Sequence, residues 1–330
     1  MGCAGSTPVG SKGKGTSSQM TTPPWSKTYY MQPGFLLPVI VNKTTIENQV
    51  NNFEVRDEDV FLITYPHTGT LWLCEIVEAI FNVDNLAVLK EQDIVQKMPL
   101  LELGPAEHPD LKVDEIDIHK SVIEMYLDSQ PSPRKIPTHL MPEYVPTQMM
   151  ERKPKTIFMT RSPKDVAVSL HAWRAFLKYL EPVEWNKMAE EFINENTEYG
   201  SYFEFTKKWS KYKDEPWFMW LSYEDMKEDS KKAIRQIADH IGRSLSDDQV
   251  AKVAEVTDLK FMNENASTIK SRELLLRPGK DLVIDGDVAW KDVFTINQSE
   301  TFDKLYDEKM EGYESLKYKY EYKTFDLSGE

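Results

Sequence analysis

The chain has 330 residues, of which 40% are hydrophobic and 11% aromatic, enough to build a large core in an ordinary globular protein. Its formal net charge of -14, from 54 acidic and 40 basic side chains, excludes a nucleic-acid coat, because such proteins need an excess of Lys and Arg. No apolar run approaches the roughly 20 residues of a membrane span, and the two cysteines, Cys3 and Cys74, have no metal-ligand spacing with the histidines, which predicts a reducing compartment and no metal.

The amino-terminal segment differs in composition from the rest. It is rich in Gly, Ser, Thr, Lys and Pro and poor in apolar residues, so we predict a disordered tail over residues 1–28 and one domain over residues 29–330. The tail begins with an N-myristoylation pattern in which Gly2 is the acceptor and Cys3 lies where a palmitoyl group can be added. Two acyl chains would anchor the protein to a membrane surface; a neutral flexible tail is the alternative.

The first core element is predicted to be a strand that turns directly into a helix. Phe61–Thr64 is β-branched and aromatic, Gly69 interrupts the pattern, and apolar residues recur at helical spacing from Leu71 onward. The first N–H groups of that helix, its dipole and the hydroxyls of Thr68 and Thr70 are expected to converge on a phosphate or sulfate group. The ATP-type pattern GxxxxGK[ST] is absent, and the same stretch is also compatible with a purely structural turn.

Further strands and helices alternate along the chain. Predicted strands are Lys135–Thr138, Thr156–Thr160 and Trp217–Leu221, and predicted helices are Asp165–Leu177, Ser230–Ile241 and Asp247–Val256. This alternation predicts an α/β fold with a central parallel sheet flanked by helices. Chemistry in such sheets gathers at the carboxyl ends of the strands, so the turn after the first core strand should lie near His139, Arg161 and Tyr223.

Each of these residues also has a structural interpretation. A lone His139 is typical of a hydrogen-bonded structural histidine, Arg161 of a surface cation, and Tyr223 and Trp72 of core aromatics. Their combination, with the anion-binding turn, favours a functional site.

The combination resembles the cytosolic sulfotransferases, which transfer a sulfonate group from 3′-phosphoadenosine-5′-phosphosulfate (PAPS). The resemblance covers about residues 35–312. It rests on blocks in the family's order, namely Thr64-Tyr65-Pro66-His67-Thr68-Gly69-Thr70-Leu71-Trp72, Thr138-His139-Leu140, Arg161-Ser162-Pro163-Lys164-Asp165-Val166-Ala167-Val168-Ser169, Tyr223-Glu224-Asp225-Met226-Lys227-Glu228-Asp229, Arg277-Pro278-Gly279 and Trp290-Lys291.

The resemblance implies roles for individual residues. The turn corresponds to the P-loop-like element that holds the 5′-phosphosulfate, His139 matches the general base, and His67 stands where the family has a catalytic lysine. The residues implied in binding PAPS are His67, Thr68, Gly69, Thr70, Leu71, Trp72, Arg161, Ser169, Tyr223, Thr257, Arg277, Pro278 and Gly279. A homodimer through Lys291–Glu300 is also implied, with Ile296 for the family's valine.

Several positions depart from the family pattern. The lysine of the loop is His67, a threonine before Trp72 is Leu71, and a second lysine is Pro137, which Lys135 would have to replace. Leu259 stands where the family has a phenylalanine just after Thr257. An acidic insertion with Asp281, Asp285 and Asp287 precedes Lys291.

The resemblance therefore implies a cytoplasmic PAPS-dependent sulfotransferase acting on a hydroxyl or amine of a small, largely apolar acceptor such as a phenol, alcohol or steroid. We predict that Phe81, His171 and Trp173 line the acceptor pocket. The missing lysines leave one alternative, a catalytically impaired regulatory protein that binds PAPS or its product PAP.

Overall fold

The computed structural model describes residues 29–32, 35–38, 41, 43–105, 120–177, 182–265, 276–280 and 290–318. The predicted acylation sites Gly2 and Cys3 and the acidic insertion with Asp281, Asp285 and Asp287 lie outside these residues.

The strands and helices alternate as predicted. The strands are β1 Tyr29–Gln32, β2 Phe35–Leu37, β3 Val60–Thr64, β4 Lys135–Thr138, β5 Lys155–Thr160 and β6 Phe218–Ser222. The helices are α1 Thr70–Phe81, α2 Ile94–Lys97, α3 Val122–Met125, α4 Thr147–Arg152, α5 Pro163–Phe176, α6 Trp185–Ile193, α7 Tyr202–Ser210, α8 Tyr223–Glu228, α9 Ser230–His240, α10 Asp247–Val256, α11 Leu259–Glu264, α12 Trp290–Val293 and α13 Ile296–Lys309.

A four-stranded parallel sheet in the order β4-β3-β5-β6 forms the centre of the fold. This confirms the predicted α/β class with a central parallel sheet. The chain passes from β3 to β4 on one side and then crosses to β5 on the other, so β3 lies at a topological switch point. Ligands bind outside the carboxyl ends of the strands at such a point.

Both faces of the sheet are buried, which explains why its strands are uncharged apart from Lys135 and Lys155, the first residues of β4 and β5. Along β3, Phe61 and Ile63 enter one apolar cluster and Val60 and Leu62 enter the other, as the two-residue strand period requires. Helices α1, α9 and α10 cover the second face, while α5, α7 and α13 cover the first.

Several helices on the carboxyl side begin with side-chain caps. Ser162 accepts a hydrogen bond from the Asp165 N–H at the start of α5, and Ser222 does the same for Asp225 in α8. The start of α1 is different, because Gly69 supplies no side chain there. The helix that follows the conspicuous turn thus keeps its first N–H groups available.

A buried lysine fastens the carboxyl-terminal helix to α5. Lys164 Nζ lies 2.7 Å from both Ser299 Oγ and Asp303 Oδ1 and 4.1 Å from the ring centroid of Trp290. The Trp290 N–H also donates to Asp165 Oδ1 at 3.0 Å. Removing one partner from a buried ion pair typically costs about 3–5 kcal/mol, so this attachment is strong.

Candidate active site

The turn between β3 and α1 presents backbone N–H groups to solvent at the end of the sheet. His67 has φ 69° and Gly69 has φ 103°, so two left-handed residues aim the chain into the helix. The Leu73 N–H donates to the Gly69 carbonyl at 3.0 Å and begins the helical ladder. The preceding N–H groups carry the positive end of the helix dipole, which makes an anion site.

The ring of Tyr223 is the contact point of this turn with the neighbouring strands. A Cβ at Gly69 would lie 2.9 Å from Tyr223 Cδ2 and 3.0 Å from Met159 Cε, so only glycine allows this approach. Arg161 Cζ lies 4.2 Å from the centroid of the same ring, and Trp72 meets it edge-on at 5.4 Å. The predicted residues Gly69, Trp72, Arg161 and Tyr223 therefore converge.

Arg161 is held rigidly at the end of β5. Its Nη1 donates to the His67 carbonyl at 3.0 Å, and its own carbonyl accepts from the Tyr202 hydroxyl at 2.7 Å. The following Ser162 N–H donates to Glu224 Oε1 at 2.8 Å. A fixed guanidinium beside a helix N-terminus is suited to bidentate binding of phosphate.

His67 joins the turn to α5. Its Nδ1 lies 3.2 Å from Ser169 Oγ, and its ring meets Trp173 at a centroid distance of 6.0 Å. Burial lowers the pKa of His67 to about 3, and the nearby His139 and Arg161 act in the same direction. The imidazole is therefore neutral in the ligand-free protein near pH 7.

The threonine hydroxyls in the turn are engaged within the protein. Thr68 Oγ1 donates to the Tyr65 carbonyl at 2.8 Å, and Thr70 Oγ1 lies 2.9 Å from Thr64 Oγ1. Thr68 is turned back on the loop rather than toward a point shared with Thr70. The expected convergence of both hydroxyls on one anion is thus absent from this arrangement, and the backbone N–H groups provide the donors.

Trp72 and Thr257 meet on the far side of Tyr223. The Trp72 Nε1–H donates to the Thr257 carbonyl at 2.9 Å, whereas the Thr257 hydroxyl donates within α10 to the Val253 carbonyl. Leu71 and Leu259 pack, partly buried, against the same apolar cluster as Trp72. This part of the site is an aromatic and aliphatic wall.

His139 follows β4 and is oriented as a base. Its Nδ1 lies 2.7 Å from the Thr64 carbonyl, so Nδ1 carries the proton and Nε2 keeps its lone pair. Its ring also contacts Tyr199 edge-on at 5.1 Å. Burial lowers the pKa of His139, although the Glu102 carboxylate and the bond to Thr64 oppose this, and a neutral imidazole results.

Glu102 was not anticipated from the sequence. Its fully buried carboxylate accepts from the His139 N–H at 2.9 Å and from Thr138 Oγ1 at 2.7 Å, and Tyr199 hydrogen-bonds to it as well. It fixes the backbone of His139 and holds a negative charge beside the base. The signal was a lone acidic residue inside the apolar run of residues 100–103.

Arg277 lies at the opposite end of α5 from Arg161. Its N–H donates to the Phe176 carbonyl at 2.7 Å and its Nε to the Leu177 carbonyl at 3.1 Å. Arg277 itself is partly buried, whereas the neighbouring Pro278 and Gly279 are exposed, Gly279 with φ 75°. Fourteen residues of helix, at about 1.5 Å each, separate this strand-like anchor from the turn at the start of α5.

Two of the predicted pocket residues are not next to the base. Phe81 is the last residue of α1, and its ring lies under Arg243 at 5.8 Å. His171 Nε2 bonds to the Val183 carbonyl at 2.8 Å and its ring packs on Trp185, so it joins α5 to α6. Of the predicted pocket residues, Trp173 is the one that contacts the turn, through His67.

Lys135 does not compensate for the lysine replaced by Pro137. It pairs with Val60 at the amino end of β3, and its Nζ lies 2.8 Å from Glu78 Oε2. Glu78 is about 12 Å along α1 from Thr70, because the helix rises about 1.5 Å per residue. The expected reach of Lys135 into the phosphosulfate turn is therefore contradicted.

Among the residues that the structure describes, no group of three or more His, Cys, Asp or Glu side chains is arranged to hold a metal ion. The same residues include no helix long and apolar enough to cross a bilayer. Cys74 is buried with a free thiol.

Comparison with known proteins places these features in context. The family model of the sulfotransferase domain matches residues 57–314 of this chain. Sulfotransferase 1B1 of Canis lupus familiaris is 32% identical over 287 residues, which are 83% of this chain and 91% of the relative. Sulfotransferase 1E1 of Bos taurus is 32% identical over 270 residues, 80% of this chain and 88% of the relative.

Solved structures show the same architecture. A mouse sulfotransferase, SULT7A1, complexed with PAP superposes with a TM-score of 0.69 at 27% identity and covers 87% of this chain and 96% of its own. A retinol dehydratase in a complex with retinol and PAP gives a TM-score of 0.73 at 24% identity, covering 87% of this chain and 90% of its own, a likeness of fold.

Proposed function

The chain belongs to the sulfotransferase domain family, and from that premise we propose that it transfers a sulfonate group from PAPS to a hydroxyl or amine of a small, largely apolar acceptor. The observation that carries the proposal is the pairing of an uncapped helix N-terminus at the β3 turn with a neutral His139 whose Nε2 is unprotonated. The mouse sulfotransferase complexed with PAP supports the choice of donor.

The site residues divide the nucleotide between them. Backbone N–H groups at the start of α1 hold the 5′-phosphosulfate, and Arg161 with Ser169 holds the 3′-phosphate. The rings of Trp72 and Tyr223 flank the adenine. We propose the same phosphate role for Arg277 and its neighbours Pro278 and Gly279, carried over from the family resemblance.

The reaction depends on His139 being neutral before it begins. His139 Nε2 accepts the proton of the acceptor hydroxyl while the hydroxyl oxygen forms a bond to sulfur. The bond between sulfur and the bridging oxygen of the 5′-phosphate breaks, and that oxygen leaves on PAP with the electron pair. His67 stands where the family's lysine would stabilise this oxygen, and it does so to the extent that it is protonated.

Replacing His139 tests the assignment. His139→Ala should abolish sulfonation of a phenol and steroid panel, measured by mass spectrometry, and leave PAP affinity within a few-fold in calorimetry, because the base meets the acceptor rather than the nucleotide. The matched control is His240→Ala, since the partly buried His240 also bonds to a backbone carbonyl, that of Thr156, but lies outside the site. Equal losses of turnover and PAP affinity would remove His139 from this role.

The same assay separates the enzyme from an impaired binding protein. The departure that motivates the alternative is the neutral His67 in place of a lysine. PAP binding with no product from any acceptor would favour a regulatory protein. The retained base with a free Nε2 favours the enzyme.

We also propose a homodimer through Lys291–Glu300. Ile296 supports this because its side chain is 80% exposed at the first turn of α13, an unusual position for a large apolar residue. A capping box at Thr295 fixes the helix start that presents it. Ile296→Asp should produce monomers in analytical ultracentrifugation, whereas Asn297→Asp, at an adjacent exposed position, should not.

For the amino terminus we propose acylation of Gly2 and Cys3 in a cytoplasmic protein, with partial attachment to membranes. The support is the sequence pattern alone, in residues outside the described part of the chain. Intact-mass analysis of protein from eukaryotic cells should show the acyl mass on wild type and not on Gly2→Ala; an unmodified wild-type terminus would end this proposal.

A further inference from the structure

A polar cleft lies at the end of the sheet opposite the active site. Its volume is about 230 Å³, and its lining includes Glu78, Asn82, Tyr126, Lys135 and Arg243. Lys135 opens β4 beside Val60, so the cleft faces the amino ends of the strands. The proposed sulfonate transfer does not use it.

Lys135 supplies a buried cation with unused donors. Its side chain is 2% exposed, and its Nζ lies 2.8 Å from Glu78 Oε2, with which it forms a hydrogen-bonded ion pair. Among the described residues no other acceptor meets the ammonium. An ammonium carries three N–H donors. A desolvated charge of this kind is costly unless further acceptors meet it.

Both carboxylate oxygens of Glu78, in contrast, have donors. Its Oε1 accepts from Asn82 Nδ2 and from Gln92 Nε2, both at 2.9 Å, and its Oε2 faces Lys135. Burial acts to raise the pKa of Glu78, but Lys135 and the amide donors lower it overall, so the carboxylate is ionised. The pair therefore has surplus donors on the lysine and no surplus acceptor on the glutamate.

A second cation stands at the mouth of the cleft. Arg243 is exposed and lies 5.8 Å above the ring of Phe81. Arg134 also lines the cleft, but its guanidinium is occupied by Asp59 through bonds of 2.9 and 2.7 Å. With Glu78 balancing Lys135, Arg243 leaves the cleft with one net positive charge.

We propose that this cleft binds a small oxyanion, a sulfate, phosphate or carboxylate group, whose oxygens accept from Lys135 and whose charge is met by Arg243. The donors beside Glu78 and the net positive charge define this class. A volume of about 230 Å³ accommodates inorganic sulfate or a small organic acid.

Crystallography of the full chain with selenate locates the anion directly. Crystals grown without sulfate or phosphate are soaked in selenate, whose selenium marks its position by anomalous scattering. We expect a peak within hydrogen-bonding distance of Lys135 Nζ. Two results would overturn the proposal. One is a water at that position. The other is an adventitious ion only, that is, a peak at high selenate concentration with no binding in solution.

Solution binding of labelled sulfate, with PAP present to occupy the active site, tests the roles of the charges. Arg243→Ala should weaken binding by about 2- to 5-fold, the scale of one exposed ion pair. The control, Arg152→Ala, removes another exposed arginine, one that pairs with Asp57 and does not line the cleft, and should change nothing. Lys135→Gln, which keeps a donor for Glu78, should abolish binding, with circular dichroism to verify folding.

The direction in which one further variant changes sulfate affinity is decisive. Glu78→Gln removes the negative charge next to Lys135 and should tighten sulfate binding by about 10-fold, the equivalent of roughly 1.4 kcal/mol. Sulfate should also raise its melting temperature more than that of the wild type. Weaker sulfate binding in Glu78→Gln would refute the assignment.

Discussion

Replacing His67 by lysine probes the most unusual position of the active site. The structure lowers the pKa of His67 to about 3 through burial and through the neighbouring His139 and Arg161. The ligand-free imidazole is then protonated in only about one molecule in 10,000 at pH 7, and charging it costs about 5 kcal/mol. A lysine in the same place starts from a pKa of about 10.4, so in the same surroundings it keeps its charge to a much higher pH than the histidine.

A bound nucleotide should reverse most of this cost. One unit charge about 4 Å away contributes about 4 kcal/mol at an effective dielectric constant near 20, and a 5′-phosphate carries nearly two such charges. Nearly two charges thus contribute up to about 8 kcal/mol, more than the cost of charging, so in the complex the pKa of His67 should rise to neutrality or above. Binding should therefore be accompanied by proton uptake.

Calorimetry measures that uptake. PAP is titrated in buffers of different ionisation enthalpy at pH 6.5, with the wild type, His67→Lys and the control His240→Gln. We expect uptake of about half a proton or more in the wild type and in the control, and none in His67→Lys, because the lysine is already charged. His67→Lys should also bind PAP with little pH dependence between pH 6 and 8.

Turnover gives an independent readout of the same group. The wild type should show a bell-shaped pH profile, with an acidic limb from His139 and a basic limb from the loss of the His67 proton. His67→Lys should lose the basic limb and turn over faster, by part of the roughly 10²–10³ that one positioned donor supplies. Equal proton uptake and identical profiles in wild type and His67→Lys would show that His67 only shapes the turn.

Further predictions concern the other charged groups of the site. Arg161→Ala should weaken binding of PAP by about 1.5–3 kcal/mol but hardly affect adenosine-5′-phosphosulfate; an unchanged preference for the 3′-phosphate in calorimetry would make Arg161 structural. Glu102→Gln should lower the pKa of His139, because the carboxylate raises it, so the acidic limb of turnover should move to lower pH while PAP affinity holds; an unmoved limb would contradict this. The folded-state pKa values of His67 and His139 are lowered. As pH falls below about 6.5, the unfolded chain therefore binds more protons than the folded chain, and the free energy of unfolding should drop by up to roughly 1.4 kcal/mol per pH unit for each histidine. Urea titrations at pH 7 and 5.5 measure this, and equal stabilities would refute it.

The sheet could be predicted from the sequence because its strands are mainly apolar and lie next to clear helix patterns. Lys135–Thr138 and Asp247–Val256 have the predicted bounds, and the other core strands agree within one residue at each end. The short hairpin of β1 and β2 was not predicted, since strands of three or four residues give too little periodicity.

The arrangement of the site was partly predictable. Parallel strands bring their carboxyl ends together, and that rule alone placed the β3 turn beside His139, Arg161 and Tyr223. The same rule excludes residues at the opposite ends of these elements. Lys135 is the first residue of β4 and lies at the other end of the sheet, and Phe81, the last residue of α1, lies away from the base.

Contacts between segments that are distant along the chain could not be predicted from the sequence. Glu102 binds the backbone of His139 across 37 residues, and nothing in either local pattern pairs them. The hydroxyl of Thr68 turns back on Tyr65 because the loop satisfies its own donor, a choice that residue types do not reveal.

The attachment of Lys164 to the carboxyl-terminal helix bears on biosynthesis. Lys164 and Asp165 directly follow the turn that carries Arg161, yet their partners Trp290 and Asp303 are synthesised more than a hundred residues later. Until those residues leave the ribosome, Lys164 and Asp165 lack the contacts that attach α5 to the carboxyl-terminal helix, and the Ser162 cap is left to hold the start of α5. A nascent chain that ends before Trp290 should therefore be unable to bind nucleotide, even though the turn, the base and every strand of the sheet have already been made.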